Sequence, residues 1–265
     1  MAEIHLKGNS LGNIKAVLFD KDGTLSNSEE YLLEIARMRV QEACNIASTK
    51  TSISRNLLEI KSQLSMVYGI NDNFLDPNGL IAIACKDNNL ISTATIISLN
   101  GASWPDALKI AQEIFKRVDR KQLKLSPNYR NLILPGALNF LKQLASASIK
   151  SAVISNDSAI GIENFISSNN LEEFITHRWS SDDDPSKPNP DAVKNLCQSL
   201  ELKAEECALI SDADSDMRMA KEAGIGVILG YTAGWRTKPS IKEQQCLINH
   251  WDEITVHLKP KVEMR

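Results

Sequence analysis

The chain has 265 residues, which at about 150 residues per domain is one long domain or two short ones. With 43% hydrophobic and 24% charged residues, 12 Gly and 9 Pro, it excludes collagenous, low-complexity and charge-dominated disordered classes and leaves enough apolar material for a sizeable core. Thirty basic side chains against thirty-three acidic ones give a formal charge of -3, which argues against nucleic acid as a partner.

The N-terminal stretch carries an acidic residue at position 3 and no continuous apolar core, so no secretory leader is predicted. The longest apolar runs, such as 225–229, are far too short to cross a bilayer. Cys44, Cys85, Cys197, Cys207 and Cys246 lack metal-site or redox-pair spacing and read as small buried apolar residues in a reducing compartment. These features predict a soluble, cytoplasmic protein with no membrane partner.

The apolar run 14–19 is continuous rather than alternating, as expected for a strand buried on both faces. It leads directly into Asp20-Lys21-Asp22-Gly23-Thr24-Leu25. In an open parallel sheet ligands bind beyond the carboxyl ends of strands, so Asp20 falls where chemistry is expected. Asp20 is placed to act as a carboxylate nucleophile and Asp22 as a proton donor and acceptor, with Gly23 turning a backbone N–H inward. A plain acidic turn is the other reading of these residues taken alone.

From 27 to 132 strand signals are lacking, and helices are predicted over 28–43, 54–68, 79–97 and 105–123. The last has Ser103 three residues before Asp106, a capping-box arrangement, and an apolar face of Leu108, Ala111, Phe115 and Val118. Further apolar runs at 151–155, 208–211, 226–229 and 246–248 alternate with stretches of helical period, such as Leu138, Leu141 and Leu144. This rhythm predicts an α/β fold, a doubly wound parallel sheet interrupted after its first strand by a helical insertion.

Asp20-x-Asp22-x-Thr24 after a hydrophobic strand resembles the first motif of the haloacid dehalogenase (HAD) superfamily. The resemblance implies three more motifs in fixed order, and each is present. Residues 151–155 followed by Asn156 match the second, implying that the Ser155 hydroxyl and the Asn156 N–H hold the transferring phosphoryl group together with Gly23 and Thr24. Lys187-Pro188-Asn189-Pro190-Asp191 matches the third, implying a fixed cation that offsets the clash between Asp20 and an incoming phosphate. Asp212 and Asp216 match the fourth, with Asp214 left outside the site as solvent-facing or supporting.

What the resemblance implies is a Rossmann-like core over 1–26 and 133–265 and an α-helical cap over 27–132. The cap is of the class seen in phosphoglycolate phosphatases and β-phosphoglucomutases. Mg²⁺ is implied at Asp20, the Asp22 carbonyl, Asp212 and, in support, Asp216. Two departures, Ser211 in place of the usual Gly and Lys21 at a position often apolar or aromatic, are expected to carry no chemical role.

Phosphomonoesterases and phosphomutases of the superfamily keep the second aspartate, here Asp22. The expected function is therefore a Mg²⁺-dependent phosphomonoesterase that hydrolyses a small phosphorylated metabolite through an aspartyl-phosphate, as a monomer or homodimer. A phosphomutase of the β-phosphoglucomutase type is the alternative. A non-catalytic regulatory or binding module is the reading from another class, and the complete motif set speaks against it. The four tryptophans read as core or surface residues, Trp235 alone being a candidate neighbour of the cleft.

Overall fold

The computed structural model describes residues 2–49, 57–122 and 132–258. The chain divides into two compact units, Met1–Asn27 with Leu132–Arg265, and Ser28–Asn131.

The chain begins with a hairpin, β1 (Ala2–Leu6) and β2 (Asn9–Ile14), followed by β3 (Ala16–Phe19) and the two-residue β4 (Ser26–Asn27). The second unit then holds α1 (Glu29–Ala47), α2 (Leu57–Tyr68), β5 (Ile70–Asn71), β6 (Phe74–Leu75), α3 (Leu80–Ile83), α4 (Lys86–Leu99) and α5 (Trp104–Gln122). The first unit resumes with β7 (Leu132–Ile133), α6 (Ala137–Ser146), β8 (Lys150–Ile154), α7 (Ala159–Ser168) and β9 (Ile175–Trp179). It closes with α8 (Pro190–Ser199), β10 (Cys207–Ser211), α9 (Asp214–Ala223), β11 (Val227–Tyr231), β12 (Cys246–Ile248) and β13 (Ile254–Leu258).

Six of these strands form a parallel sheet in the order β12-β11-β10-β3-β8-β9. Alternate residues of β3 feed two cores, Val17 and Phe19 joining one with Leu141 and Trp251, Ala16 and Leu18 the other with Leu196, Leu209 and Met217. Burial on both faces is why the strand reads as an unbroken apolar run. Trp251 stacks on Tyr231 at 4.7 Å and on Phe140 at 5.6 Å between ring centroids, so it is a core residue.

The predicted strand 14–19 is two elements. Ile14 ends β2, paired with β1, and β3 starts at Ala16, paired with β10; the chain changes partner at Lys15, whose N–H already donates to the Glu206 carbonyl 2.8 Å away. The hairpin pairs antiparallel with β13 in a separate three-stranded sheet. Its signal was the alternation of buried Ala2, Ile4 and Leu6, too short to stand out from a terminal segment. β9 was also missed; its exposed and half-buried positions reflect a sheet edge.

In the second unit the predicted helix 79–97 is broken. Ala84 is extended, and the Asn89 side-chain amide donates to the carbonyls of Ala84 and Cys85 at 3.0 and 2.9 Å, fixing the break that starts α4. The helices predicted over 54–68 and 105–123 begin and end in part outside the described residues. Ser103 and Asp106 are hydrogen-bonded side chain to side chain at 2.6 Å. All five cysteines are free, and only Cys197 and Cys207 are fully buried, the other three being half-buried. No helix among the described residues is long and apolar enough to cross a membrane.

Candidate active site

The sheet order puts β3 between β8 and β10, so the residues that follow these three strands emerge side by side at one sheet edge. Asp20 follows β3, Ser155 follows β8, and Asp212 follows β10. Strand order reverses here, on the two sides of β3, which opens the crevice in which α/β proteins bind ligands.

The Lys187 ammonium ties these strand ends together. It donates to Asp20 Oδ1 at 2.8 Å, pairs with Asp216 Oδ2 at 2.5 Å and approaches the Ile154 carbonyl at 3.4 Å. The segment that carries Lys187 is itself fixed. The Trp179 indole N–H donates to the Pro185 carbonyl at 2.8 Å, and Asn189 caps α8 by accepting the Asp191 N–H at 2.9 Å. Burial alone would lower the lysine's pKa, but the Asp20 and Asp216 carboxylates outweigh it and hold it above the ordinary lysine value.

Asp20 behaves in the opposite sense. Burial pushes its carboxyl up to about 6, Lys187 pulls it down, and the Asp216 charge raises it again. Asp212 is raised well above its ordinary value by burial and by the Asp20 charge, against the pull of two hydrogen bonds. Those bonds come from Thr24 Oγ1 to Oδ1 at 2.8 Å and from the Trp235 indole N–H to Oδ2 at 2.6 Å. Asp216 also accepts from the Ser211 hydroxyl at 2.7 Å. Of these three buried carboxylates Lys187 pairs with Asp20 and Asp216, while Asp212 is held by neutral donors, an excess of negative charge that suits a divalent cation.

Among the described residues no group of three or more His, Cys, Asp or Glu side chains stands in ligating geometry. Asp216 Oδ2 is taken up by both Lys187 and Ser211, Asp20 meets the same ammonium through Oδ1, and Asp212 is held by the uncharged donors Thr24 and Trp235. Two carboxylates completed by a backbone carbonyl and waters match the way Mg²⁺ is usually held.

Gly23 and Thr24 are committed to the scaffold. The Gly23 N–H donates to the Ser26 carbonyl at 3.0 Å instead of turning inward, and the Thr24 hydroxyl orients Asp212. Gly23 has φ +73°, and any side chain there would strike the Trp235 indole and the Asp212 carboxylate. Ser155 is buried and its hydroxyl accepts the Asp157 N–H at 3.1 Å; Asn156 follows it, half-buried. Asp214 stands outside the cluster. It accepts the N–H groups of Lys242 and Glu243 at 2.7 and 3.1 Å and pairs with Arg218.

Ser211 and Lys21, expected to carry no chemical role, are both bonded to carboxylates at these strand ends. Ser211 holds Asp216, and Lys21, only 1% exposed, pairs with Asp22 Oδ1 at 2.6 Å and Asp157 Oδ2 at 3.1 Å. Trp235, the candidate neighbour of the cleft, does reach it through Asp212, a partner 23 residues away that its local sequence does not reveal.

The sequence profile described as haloacid dehalogenase-like hydrolase matches residues 14–224. A phosphoglycolate phosphatase of Vibrio cholerae serotype O1 is 24% identical over 226 residues, covering 84% of this chain and 88% of that protein. The crystal structure of a predicted phosphoglycolate phosphatase from Haemophilus somnus 129PT superposes with a TM-score of 0.64 at 16% identity, covering 91% of this chain and 96% of that one. A HAD family hydrolase from Deinococcus radiodurans R1, solved with bound phosphate and sodium, gives a TM-score of 0.54 at 20% identity over 91% of this chain and 93% of that one.

Proposed function

The chain belongs to the haloacid dehalogenase-like hydrolases, and on that premise we propose that it is a phosphatase of small phosphorylated metabolites, working through a phosphoryl group carried on Asp20. The observation that carries this reading is the Lys187 ammonium bonded to both Asp20 and Asp216 beside the end of β8. It gathers the four motifs around one carboxylate.

The Asp20 carboxylate attacks phosphorus in line while Asp22 gives a proton to the departing ester oxygen. Lys187 offsets the approach of two anions, and the Ser155 hydroxyl with the Asn156 N–H holds the phosphoryl oxygens. In the second half Asp22 takes a proton from water, whose oxygen displaces Asp20 from phosphorus and releases inorganic phosphate. Asp20, the Asp22 carbonyl and Asp212, with Asp216 in support, would hold Mg²⁺, which when bound would offset the charge on the transferring group.

The helical unit Ser28–Asn131 serves in this reading as the substrate-selecting cap. Within the first unit β4 and β7 pair Asn27 with Leu132, the residues that flank this insertion in the sequence. A small substrate of the phosphoglycolate kind follows from the likeness to the Vibrio protein.

The test is phosphate release from a panel of phosphorylated metabolites and p-nitrophenyl phosphate, with Mg²⁺ and with chelator. Asp20→Asn is expected to abolish turnover and acid-stable labelling by ³²P-substrate. Undiminished turnover in that variant removes the reading, and isomerisation of a sugar 1-phosphate without phosphate release would replace it by a mutase.

A further inference from the structure

We propose that Lys21, anchored by Asp157, is the positioning residue for Asp22 in the water-activating half of the reaction. This rests on the functional reading above. Lysine is almost never fully buried unless paired, and Lys21 is 1% exposed. Its ammonium lies 2.6 Å from Asp22 Oδ1 and 3.1 Å from Asp157 Oδ2, with the Phe165 ring centroid at 5.9 Å. Its carbonyl accepts the N–H groups of Thr24, Leu25 and Ser26 at 3.3, 3.0 and 2.8 Å, so one residue both shapes the turn that displays Asp22 and grips the Asp22 carboxylate.

Asp157 is fixed from three sides. Its Oδ1 accepts the Ser158 N–H at 2.7 Å, its own N–H donates to Ser155 Oγ at 3.1 Å, and its carbonyl accepts the Ser181 N–H at 2.9 Å. Gly161 leaves the room it needs, since a side chain there would strike the Asp157 carboxylate. A carboxylate–ammonium–carboxylate bridge therefore runs from the loop after β8 to the turn after β3. Removing a partner of such a buried pair leaves an uncompensated charge, so the bridge is coupled as a unit.

Holding one Asp22 oxygen fixes the direction in which the carboxylate accepts a proton. In the second half-reaction a proton passes from water to that carboxylate, the water oxygen bonds to phosphorus, and the bond from phosphorus to Asp20 breaks. With the bridge gone, Asp22 is aimed poorly and the phosphorylated protein accumulates. p-Nitrophenyl phosphate isolates this half, because its leaving group departs without a proton from Asp22.

In Lys21→Met with that substrate, kcat is expected to fall about tenfold or more and KM to fall with it, while acid-quenched ³²P-labelled protein rises towards one label per chain. Asp157→Asn, which keeps the shape and weakens the anchor, is expected to give the same split in smaller measure and serves if Lys21→Met does not fold. A fall in kcat at unchanged KM, or no rise in label in either variant, overturns the proposal while wild-type turnover stands. A wild type without phosphatase activity overturns the functional reading first.

Discussion

The indole N–H of Trp235 donates to Oδ2 of Asp212 across 2.6 Å, and the Thr24 hydroxyl holds the other oxygen at 2.8 Å. Asp212 is therefore oriented by two residues far from it in sequence, one on the turn after β3 and one beyond β11. Partners that orient a metal-binding carboxylate typically carry about 10–100-fold in metal affinity. Trp235→Phe keeps the ring and removes the donor. Half-activation by Mg²⁺ is expected to shift upward by about tenfold with kcat at saturating metal largely restored. An unchanged Mg²⁺ titration removes Asp212 from the metal site.

Lys187 is the sole cation bonded to Asp20 and Asp216 among the described contacts. Lys187→Met leaves these two buried carboxylates facing each other uncompensated. Breaking a buried pair in this way costs about 3–5 kcal/mol. Urea unfolding in chelator at neutral pH is expected to register a loss of that order. The loss should shrink at about pH 5, where Asp20 takes up a proton. A variant as stable as wild type at neutral pH would show that the ammonium does not bear on these groups.

The raised carboxyls give metal-free protein a pH-dependent stability with a definite sign. Asp20 ionises at about 6 in the folded chain, above its ordinary 3.8, so the native state binds this proton more tightly than the unfolded one. Its contribution to stability is thus greatest below the unfolded value and is lost as pH rises through about 6; the raised Asp212 acts in the same direction. Mg²⁺ competes with these protons, so its stabilisation should grow over the same interval. Melting curves with chelator and with Mg²⁺, at about pH 5 and about pH 8, check this. A Tm gain from Mg²⁺ that is equal at both values contradicts it.

Gly23→Ala forces a β-carbon onto the Trp235 indole and the Asp212 carboxylate at a residue with φ +73°. Strain of this backbone kind costs of order 1–3 kcal/mol, and the displaced indole should weaken Mg²⁺ binding as Trp235→Phe does. A stable protein with wild-type Mg²⁺ response would mean that the contact relaxes at little cost.

Local chemistry wrote the motif positions and the class of fold into the sequence. Strands buried on both faces read as apolar runs, and Asp20, Ser155, Lys187 and Asp212 each follow or precede a recognisable element, so all were visible as a line of residues. The N-terminal hairpin was hidden because its alternation is brief, and the break between α3 and α4 because it depends on one asparagine turning back on the chain. Which side chains meet was decided only by the tertiary structure. In the sequence Lys21 and Ser211 stand out only as departures from the family pattern, and Trp235 only as a candidate neighbour of the cleft with no partner named. Asp157 and Asp212 come within reach of Lys21 and Trp235 only when β8, β3, β10 and the segment beyond β11 assemble side by side, whereas Ser211 meets Asp216 locally, across the turn from β10 into α9. A hydrogen bond is specified by distances of about 3 Å in space, and sequence separation carries no information about those.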